Sequence, residues 1–310
     1  MTSQPDEKEQ VSRFWDSRTG PQPRQSWWQL PRCLQHRDEM LTGSRSKDFV
    51  ALLRETLIPQ SVPLGVSFGS GGCQYEERIV NGGLAERMEC WELSAERCRL
   101  ARQRLEPKYG SRITVINDDL LASRYPPASV DLVYVHDALH HVRELERVLG
   151  AIAVMLKPAG VFVVDDFFGP TGMQWTEQQT RVCNDILAIL PTELRRLVRN
   201  PSATKERVSR PDPKRLWEAD PSECVRSSEM LDLLRERFAI VLDRPVGGAV
   251  FHPLLSGIAG NFLESETGKV CLEFILLLDR SLTQSGALNA DYRFLACRPK
   301  SQPPQSPDRR

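Results

Sequence analysis

The sequence predicts an α/β protein: a Rossmann-like, doubly wound, mostly parallel seven-stranded sheet with a helical insertion or lid. Three observations predict it. From residue 64 onward, short apolar segments alternate with amphipathic segments. A glycine cluster closes the first apolar segment, and two further strand-like segments stand near the C-terminus. Alternation of this kind indicates parallel strands with helices covering both faces of the sheet.

The first half of the chain supplies most of the sheet. Before it, residues 47–57 place Phe49, Val50, Leu53 and Leu57 at helical spacing, and a proline ends that segment. The alternating strands are predicted at residues 64–68, 87–93, 113–116, 131–135 and 161–164, and the helices between them at 74–82, 94–105 and 145–156. Ser94 fits the N-cap of its helix, and a Gly-Gly pair follows the helix at 74–82.

The second half is mainly helical. Helices are predicted at residues 175–190, 193–198, 227–237, 249–263 and 270–282, and strands at 238–243 and 292–297. We therefore expect an arm over residues 1–45 packing on the core, a Rossmann-like core over 46–170, and a helical insertion over 171–235. The rest of the core follows over 236–299 with its own helical insertion, and a disordered tail over 300–310.

Composition narrows the class of protein. The 310 residues include 41 basic and 41 acidic ones, a balance that argues against a general nucleic-acid or membrane-surface binder. No apolar run is long enough to cross a bilayer, and the first residues lack the apolar core of a secretory signal. The eight cysteines form no C-x-x-C pair, which predicts reduced thiols. We expect a cytoplasmic monomer or homodimer with no membrane or nucleic-acid partner and no metal.

The glycine cluster Gly69-Ser70-Gly71-Gly72 stands where the first strand meets a helix. Bare backbone at such a turn lets a ligand lie close to the main chain. The dinucleotide pattern G-x-G-x-x-G is broken because Gln74 occupies its third position. NAD binding is therefore disfavoured.

Four further features follow this turn in order. Glu92 ends the second strand, Asn117-Asp118-Asp119-Leu120 follows the third, and the segments VDLVYVHDALHHV and LKPAGVFVV contain the fourth and fifth. With the turn, this ordered set resembles the class I S-adenosylmethionine-dependent methyltransferases over about residues 60–170. The final pair of strands fits the same family. The resemblance implies a methyl-transferring enzyme with S-adenosyl-L-methionine as cofactor.

The resemblance also implies the cofactor site. Its expected members lie at the ends of strands one to four: Ser67, Phe68, Gly69, Gly71, Glu92, Leu93, Asp118, Asp119, Leu120, His136 and Asp137. Glu92 would accept hydrogen bonds from the ribose hydroxyls, and Asp118 from the adenine amino group. The chain departs from the family at two points. Ser67 replaces a carboxylate, and Cys73 stands where the last glycine would fall.

Three residues are expected to act on the acceptor. His141 or His140 could take its proton, and Asp166 could act as a base or orient the acceptor. His141 could instead only fix its loop, and the adjacent acids could be capping or solvated residues. A divalent cation held by His136, Asp165 and Asp166, as in catechol-type methyltransferases, is the less favoured interpretation.

The acceptor pocket is expected after residue 170. Its predicted members are aromatic or polar: Trp175, Phe167, Arg226, His252 and Asn261. Each has an ordinary structural alternative, namely a core ring, a solvated basic face or a satisfied buried polar group.

The function predicted from these patterns is direct in-line methyl transfer to a small or medium-sized acceptor. The acceptor would be a natural product or a sugar or glycan, methylated on a hydroxyl or amine in a biosynthetic pathway. Two alternatives stay open. One is a binding or regulatory protein with a degenerate methyltransferase fold, and the other is a nucleic-acid methyltransferase that uses the basic insertion as its groove.

Overall fold

The computed structural model describes residues 7–20 and 22–300. Twelve helices lie in these ranges: α1 Glu7–Asp16, α2 Pro31–Thr42, α3 Phe49–Thr56, α4 Gln74–Asn81, α5 Ala95–Tyr109, α6 Leu145–Met155, α7 Glu177–Ile189, α8 Thr192–Arg195, α9 Pro213–Ala219, α10 Met230–Arg237, α11 Phe251–Leu255 and α12 Glu266–Gln284. Nine strands accompany them: β1 Val62–Phe68, β2 Ala85–Trp91, β3 Ile113–Ile116, β4 Val130–His136, β5 Leu156–Phe167, β6 Arg196–Leu197, β7 Asn200–Thr204, β8 Phe238–Pro245 and β9 Tyr292–Pro299.

Seven strands form one sheet in the order β3-β2-β1-β4-β5-β9-β8. The neighbours from β3 to β5 pair in parallel, and β9 pairs antiparallel with both β5 and β8. The predicted fold class, a doubly wound and mostly parallel seven-stranded sheet, is confirmed. The carboxyl ends of β1, β2, β4 and β5 meet at one edge, which is where ligands bind in open sheets of this kind.

The apolar runs of β1 and β4 form strands because both of their faces are covered. Val66 and Ser67 are fully buried in β1, as are Val133 and Tyr134 in β4. Helices α4 and α5 pack on one side of the sheet, and α6 with α10 on the other. Two large apolar clusters result, one on each side, so the central strands are held from both faces.

Several predicted boundaries move. The strand expected at 161–164 runs over Leu156–Phe167, so Asp165 and Asp166 lie within β5 instead of after it. They face β9, which pairs with β5 over this whole stretch. The helix expected at 193–198 is a single turn, α8, followed by the β6–β7 ladder. The helix expected at 249–263 is α11 followed by a 3-10 segment at Ala259–Leu263.

The arm expected at residues 1–45 contains α1, a 3-10 turn at Trp27–Gln29 and α2. Trp27 is buried against Phe251 and Tyr292, whereas Trp28 is half exposed. The disordered tail predicted at residues 300–310 lies outside the described residues, except for Lys300. Within the described part of the chain, no helix combines the length and the apolar character that crossing a membrane requires.

Candidate active site

The glycine turn after β1 approaches the loop after β4 closely. Gly69 has a φ of +59° and Gly71 a φ of +53°, in the left-handed region that glycine favours. A Cβ at Gly69 would lie 2.5 Å from the Ala138 Cβ, so no side chain fits there. Cys73 keeps a φ of +58° at the start of α4, where the family has glycine. The turn therefore retains its backbone shape although a cysteine has replaced a glycine.

Glu92 points into this turn. Its buried carboxylate accepts the backbone N–H of Gly71 at 2.7 Å and that of Ser94 at 2.8 Å, one on each oxygen. A carboxylate oxygen has two lone pairs, so each oxygen of Glu92 keeps one for a further donor. Two such acceptors side by side fit a vicinal diol, as a ribose presents.

The acids after β3 differ in their surroundings. Asp118 is exposed, and its carboxylate accepts the N–H of Asp119 at 2.7 Å. Asp119 accepts the N–H of Leu121 and pairs with Lys8 of α1. Asn117, which was not predicted as a site residue, donates to the carbonyls of Glu92 and Leu93 and so braces the loop that follows β2. Phe68 and Leu120 are buried nearby in the core.

Helix α1 covers these elements. Asp16 accepts from the Ser94 hydroxyl at 2.5 Å and from the Glu96 N–H at 3.1 Å. The ring of Trp15 lies 4.2 Å from the guanidinium carbon of Arg97 and 5.4 Å, edge-on, from the ring of His141. Helix α1 therefore contacts both the segment that follows β2 and the 3-10 turn that follows β4.

Two carboxylate oxygens near the turn suit a cationic ligand. Among the described residues, Glu76 Oε2 and Asp137 Oδ1 are buried without a hydrogen-bond partner, as is the Ser67 hydroxyl. Burial raises the pKa of Glu76 to about 7, against the lowering influence of its own backbone N–H and of His136. Asp137 has a φ of +45°, a conformation that costs free energy outside glycine. S-adenosyl-L-methionine carries a diol, an ammonium and a sulfonium, and these residues fit that set.

A histidine pair lies in the 3-10 turn Leu139–His141 after β4. His140 Nδ1 lies 2.5 Å from Asp166 Oδ1, and its Nε2 lies 3.7 Å from Glu223. Burial lowers the pKa of His140, but the Asp166 and Glu223 carboxylates outweigh it and raise that pKa to about 9. His141 stacks beside it with ring centroids 4.1 Å apart. Burial and the charge of His140 lower the pKa of His141.

Asp166 sets the shape of that turn. Its fully buried carboxylate accepts the backbone N–H groups of Ala138 and Leu139 as well as the contact from His140. Burial raises the pKa of Asp166, but His140 and these N–H groups outweigh that effect and lower it. Asp166 is thus held ionised by these contacts, and it orients the histidine turn.

Comparison with known proteins supports the same assignment. Residues 66–164 match the family model described as a methyltransferase domain. The chain therefore contains a methyltransferase domain over these residues. This match agrees with the resemblance seen in the sequence.

A curated relative and two solved structures resemble the chain. Dimethylglycine N-methyltransferase of Parasynechococcus marenigrum (strain WH8102) is 29% identical over 113 residues, 34% of this chain and 40% of that protein. The chain thus matches less than half the length of this relative. Geranyl diphosphate C-methyltransferase from Streptomyces coelicolor A3(2) has a TM-score of 0.54 and 12% identity, covering 96% of this chain and 99% of that one.

Phosphoethanolamine N-methyltransferase 2 from Haemonchus contortus has a TM-score of 0.51 and 14% identity, covering 86% of this chain and 57% of that one. At these identities, the two structures show a shared fold. They carry no information about this chain's acceptor.

The catechol-type metal position is filled by a cation of the chain itself. The Arg37 guanidinium, from α2, lies 2.5 Å from Asp165, and His136 Nδ1 lies 3.1 Å from the same carboxylate. Burial alone would raise the pKa of Asp165. The charges of Arg37 and His136 have the larger effect, so the pKa of Asp165 is lowered. Arg37 thus supplies a positive charge beside Asp165, and the metal interpretation stays the less favoured one.

A second cluster could in principle hold a metal. One ligand atom from each of His140, His141 and Glu223 lies within 4.8 Å of the others. However, His140 sits between two carboxylates, and a proton on its ring already compensates them. We therefore assign no metal role to this cluster.

The predicted acceptor residues separate into two groups. Phe167, Trp175 and His252 meet near the histidine turn, with His252 5.6 Å from Phe167 and 5.1 Å from Trp175 between ring centroids. Phe167 and Trp175 are buried, and burial lowers the pKa of His252 to about 4. The first two rings are therefore core residues behind the acceptor side, and His252 is a neutral histidine next to them.

Arg226 and Asn261 are engaged elsewhere. Arg226 binds Glu146 and Glu229 on the outer face of α6 and α10. Asn261 donates to the carbonyls of Leu194 and Arg196 and braces the β6–β7 insertion. The hydrogen-bonding groups of both residues have partners within the chain, and their acceptor-binding roles stay predictions. The sequence missed Ser222 and Glu223, which reach the histidine turn from the insertion.

Proposed function

We propose that the chain transfers the methyl group of S-adenosyl-L-methionine directly to a hydroxyl or amine of a small or medium-sized acceptor, such as a natural product, sugar or glycan. The observation that carries the proposal is the histidine pair with opposite pKa shifts. It stands between the cofactor residues of the glycine turn and the insertion. Titratable neighbours whose pKa values are pushed apart mark an acid–base site.

The cofactor residues hold the two ends of the ligand. Glu92 would take the ribose diol, while Asp119 and Lys8 close the adenine side together with α1. Asp137 and Glu76 would face the cationic part of the cofactor. Asp118, which is exposed, would reach the adenine amino group from the rim.

When bound, S-adenosyl-L-methionine supplies a methyl group that is already activated on a sulfonium. The chain's task is alignment and removal of the acceptor's proton. Holding the reactants in line can lower a barrier by about 7–11 kcal/mol. His141, neutral at pH 7, takes the proton, and the charged His140 beside it favours a nucleophile that has become negative. Asp166 orients His140.

Calorimetry with S-adenosylmethionine and S-adenosylhomocysteine tests the proposal first. Binding and thermal stabilisation are expected, and their absence would instead favour the degenerate binding protein. Incubation with tritiated cofactor and separate pools of sugars, phenols and amines then identifies the acceptor class. Transfer to RNA or DNA with steep salt dependence would overturn the small-molecule assignment in favour of the nucleic-acid alternative.

His141→Ala is the matching variant. It should slow methyl transfer by about 10²- to 10⁴-fold, the usual contribution of a general base, and leave cofactor affinity within about threefold. His36→Phe, at a buried histidine of α2 that contacts Phe251, is the control histidine variant outside the proposed proton path. Equal turnover of His141→Ala and wild type would remove His141 from the mechanism.

A further inference from the structure

The loop between α9 and α10 reaches the histidine turn from outside the methyltransferase domain. His141 Nδ1 lies 3.0 Å from the Ser222 hydroxyl. That hydroxyl lies 2.7 Å from Asp220 Oδ1, and the Ser222 N–H also donates to this oxygen at 3.0 Å. Ser222 and Asp220 are 3% and 5% exposed, so the chain of contacts is shielded from water.

The direction of each hydrogen bond follows from counting protons. A serine hydroxyl has one proton and a carboxylate oxygen accepts, so the Ser222 proton goes to Asp220 Oδ1, which also accepts the Ser222 N–H. The Ser222 oxygen must then accept from His141. His141 therefore carries its proton on Nδ1, and its Nε2 is left with a lone pair.

We propose that Ser222 and Asp220 are positioning residues that hold His141 as the Nδ1–H tautomer, so that Nε2 is the atom that accepts the acceptor's proton. This inference rests on the proposed function for its chemistry. A serine and an aspartate supplied by the insertion thus orient a base supplied by the methyltransferase domain. Neither residue touches the reacting atoms.

The step balances with these groups alone. As the acceptor's oxygen or nitrogen bonds to the methyl carbon, the carbon–sulfur bond breaks and its electron pair stays on sulfur. The acceptor's proton moves to His141 Nε2, which gives an imidazolium. Its Nδ1–H still donates to Ser222, so the ring does not need to rotate during the step.

The charged groups around His141 come from three elements. His140 is its chain neighbour, Glu223 and Asp220 belong to the insertion loop, and Asp166 lies in β5. Trp15 of α1 covers the remaining side as an uncharged ring. The tautomer is therefore set by the Ser222 contact, since that is the hydrogen bond that a described residue makes to the ring of His141.

Nitrogen-15 NMR of the histidine rings tests this without knowledge of the acceptor. The chain has five histidines, so labelled imidazoles can be assigned with single variants. At pH 8, two-bond correlations should show His141 as the neutral Nδ1–H tautomer and His140 as an imidazolium, given its pKa of about 9. A wild-type His141 in the Nε2–H form would overturn the proposal.

Variants then separate positioning from folding. Ser222→Ala should shift His141 toward the Nε2–H tautomer, and Ser222→Thr should restore the Nδ1–H tautomer. Ser228→Ala is the control, because Ser228 is hydrogen-bonded to Thr171, and it should leave the tautomer of His141 unchanged. Asp220→Asn should act like Ser222→Ala. An unchanged His141 pattern in a folded Ser222→Ala protein, verified by its thermal shift with S-adenosylhomocysteine, would also overturn the proposal.

Kinetics add a second readout once an acceptor is known. Ser222→Ala should lower kcat by about 10- to 100-fold, a part of the usual general-base contribution, with KM for the cofactor unchanged. Ser222→Thr should recover most of the rate, and full activity in Ser222→Ala would contradict the role. Failure of the chain to bind the cofactor would refute the proposed function, whereas the NMR result reports on the tautomer independently.

Discussion

Replacing Glu92 with glutamine tests whether this carboxylate binds the cofactor or only braces its loop. The side chain keeps its shape, but one oxygen becomes an NH2 group. Glu92 accepts two backbone N–H groups, from Gly71 and Ser94, at 2.7 and 2.8 Å. Glutamine can accept only one of them, and its NH2 must face the other donor. The variant should be less stable whether Glu92 binds the cofactor or only braces its loop. Thermal stability alone therefore does not distinguish the two roles.

Cofactor affinity does separate them. Hydrogen bonds to a charged group contribute about 1.5–3 kcal/mol, roughly twice those of a neutral group. Two diol hydroxyls that lose a carboxylate should therefore lose about 1.5–3 kcal/mol of binding. At 1.4 kcal/mol per factor of ten, this is about a 10- to 150-fold weaker Kd.

Isothermal titration with S-adenosylhomocysteine measures the change directly. Glu86→Gln is the matched control, because Glu86 is an exposed residue of β2, the strand that precedes Glu92, and this variant should bind the cofactor as wild type does. A Glu92→Gln protein that melts at a lower temperature yet binds within twofold of wild type would show that Glu92 serves only as a brace. The assignment of the ribose site would then be lost.

Three further outcomes are expected. Trp15→Ala should speed cofactor dissociation by about 2- to 5-fold in stopped-flow fluorescence, because a cation–π contact of about 0.5–1 kcal/mol with the cofactor-side helix α5 is lost. Trp28→Ala, at a half-exposed tryptophan, should not change it. Arg37→Met should cost about 3–5 kcal/mol of stability in urea unfolding because Asp165 is left buried without its cation, and adding Asp165→Asn should recover part. If the double variant is no more stable than Arg37→Met, the ion pair is not the cause. His36 is buried, and its pKa is lowered to about 4. Below pH 6.5 the unfolded chain therefore binds a proton at His36 that the folded chain does not bind. Stability should fall by up to about 1.4 kcal/mol per pH unit toward pH 4, and His36→Phe should narrow the difference in Tm between pH 7 and pH 5.

The cofactor side of the proposed site could be predicted from the sequence because its signals are local. Gly69 and Gly71 end a strand, and Glu92 ends the next one. Both features need only a few neighbouring residues to be recognised. Parallel strands with both faces buried also appear as uninterrupted apolar runs, which is why the parallel strands of the sheet were predicted although their boundaries moved.

The acceptor side depends on contacts between distant parts of the chain. Ser222 meets His141 across 81 positions, and Arg37 meets Asp165 across 128. An ordinary serine in a polar insertion carries no periodicity or motif that marks such a contact. Glu76 was missed for a related reason, since a glutamate in the first turn of a helix is common.

The predicted element boundaries were wrong where pairing with another strand overrode the local preference of a segment. Residues 193–198 have helical composition, but two of them pair with β7 instead. Asp165 and Asp166 look like residues of a turn after a strand. They stay in β5 because β9 continues the ladder beside them.

The position of α1 has a practical consequence for anyone producing this protein. Lys8, Ser12 and Asp16 contact the loops after β2 and β3, where we propose that the adenosine binds, so we expect a bulky group attached near α1 to hinder cofactor exchange. The last strand runs the other way and finishes at Pro299, paired with Phe238, on the far margin of the sheet. Purification handles and fluorophores therefore belong at that end, where they leave ligand exchange undisturbed.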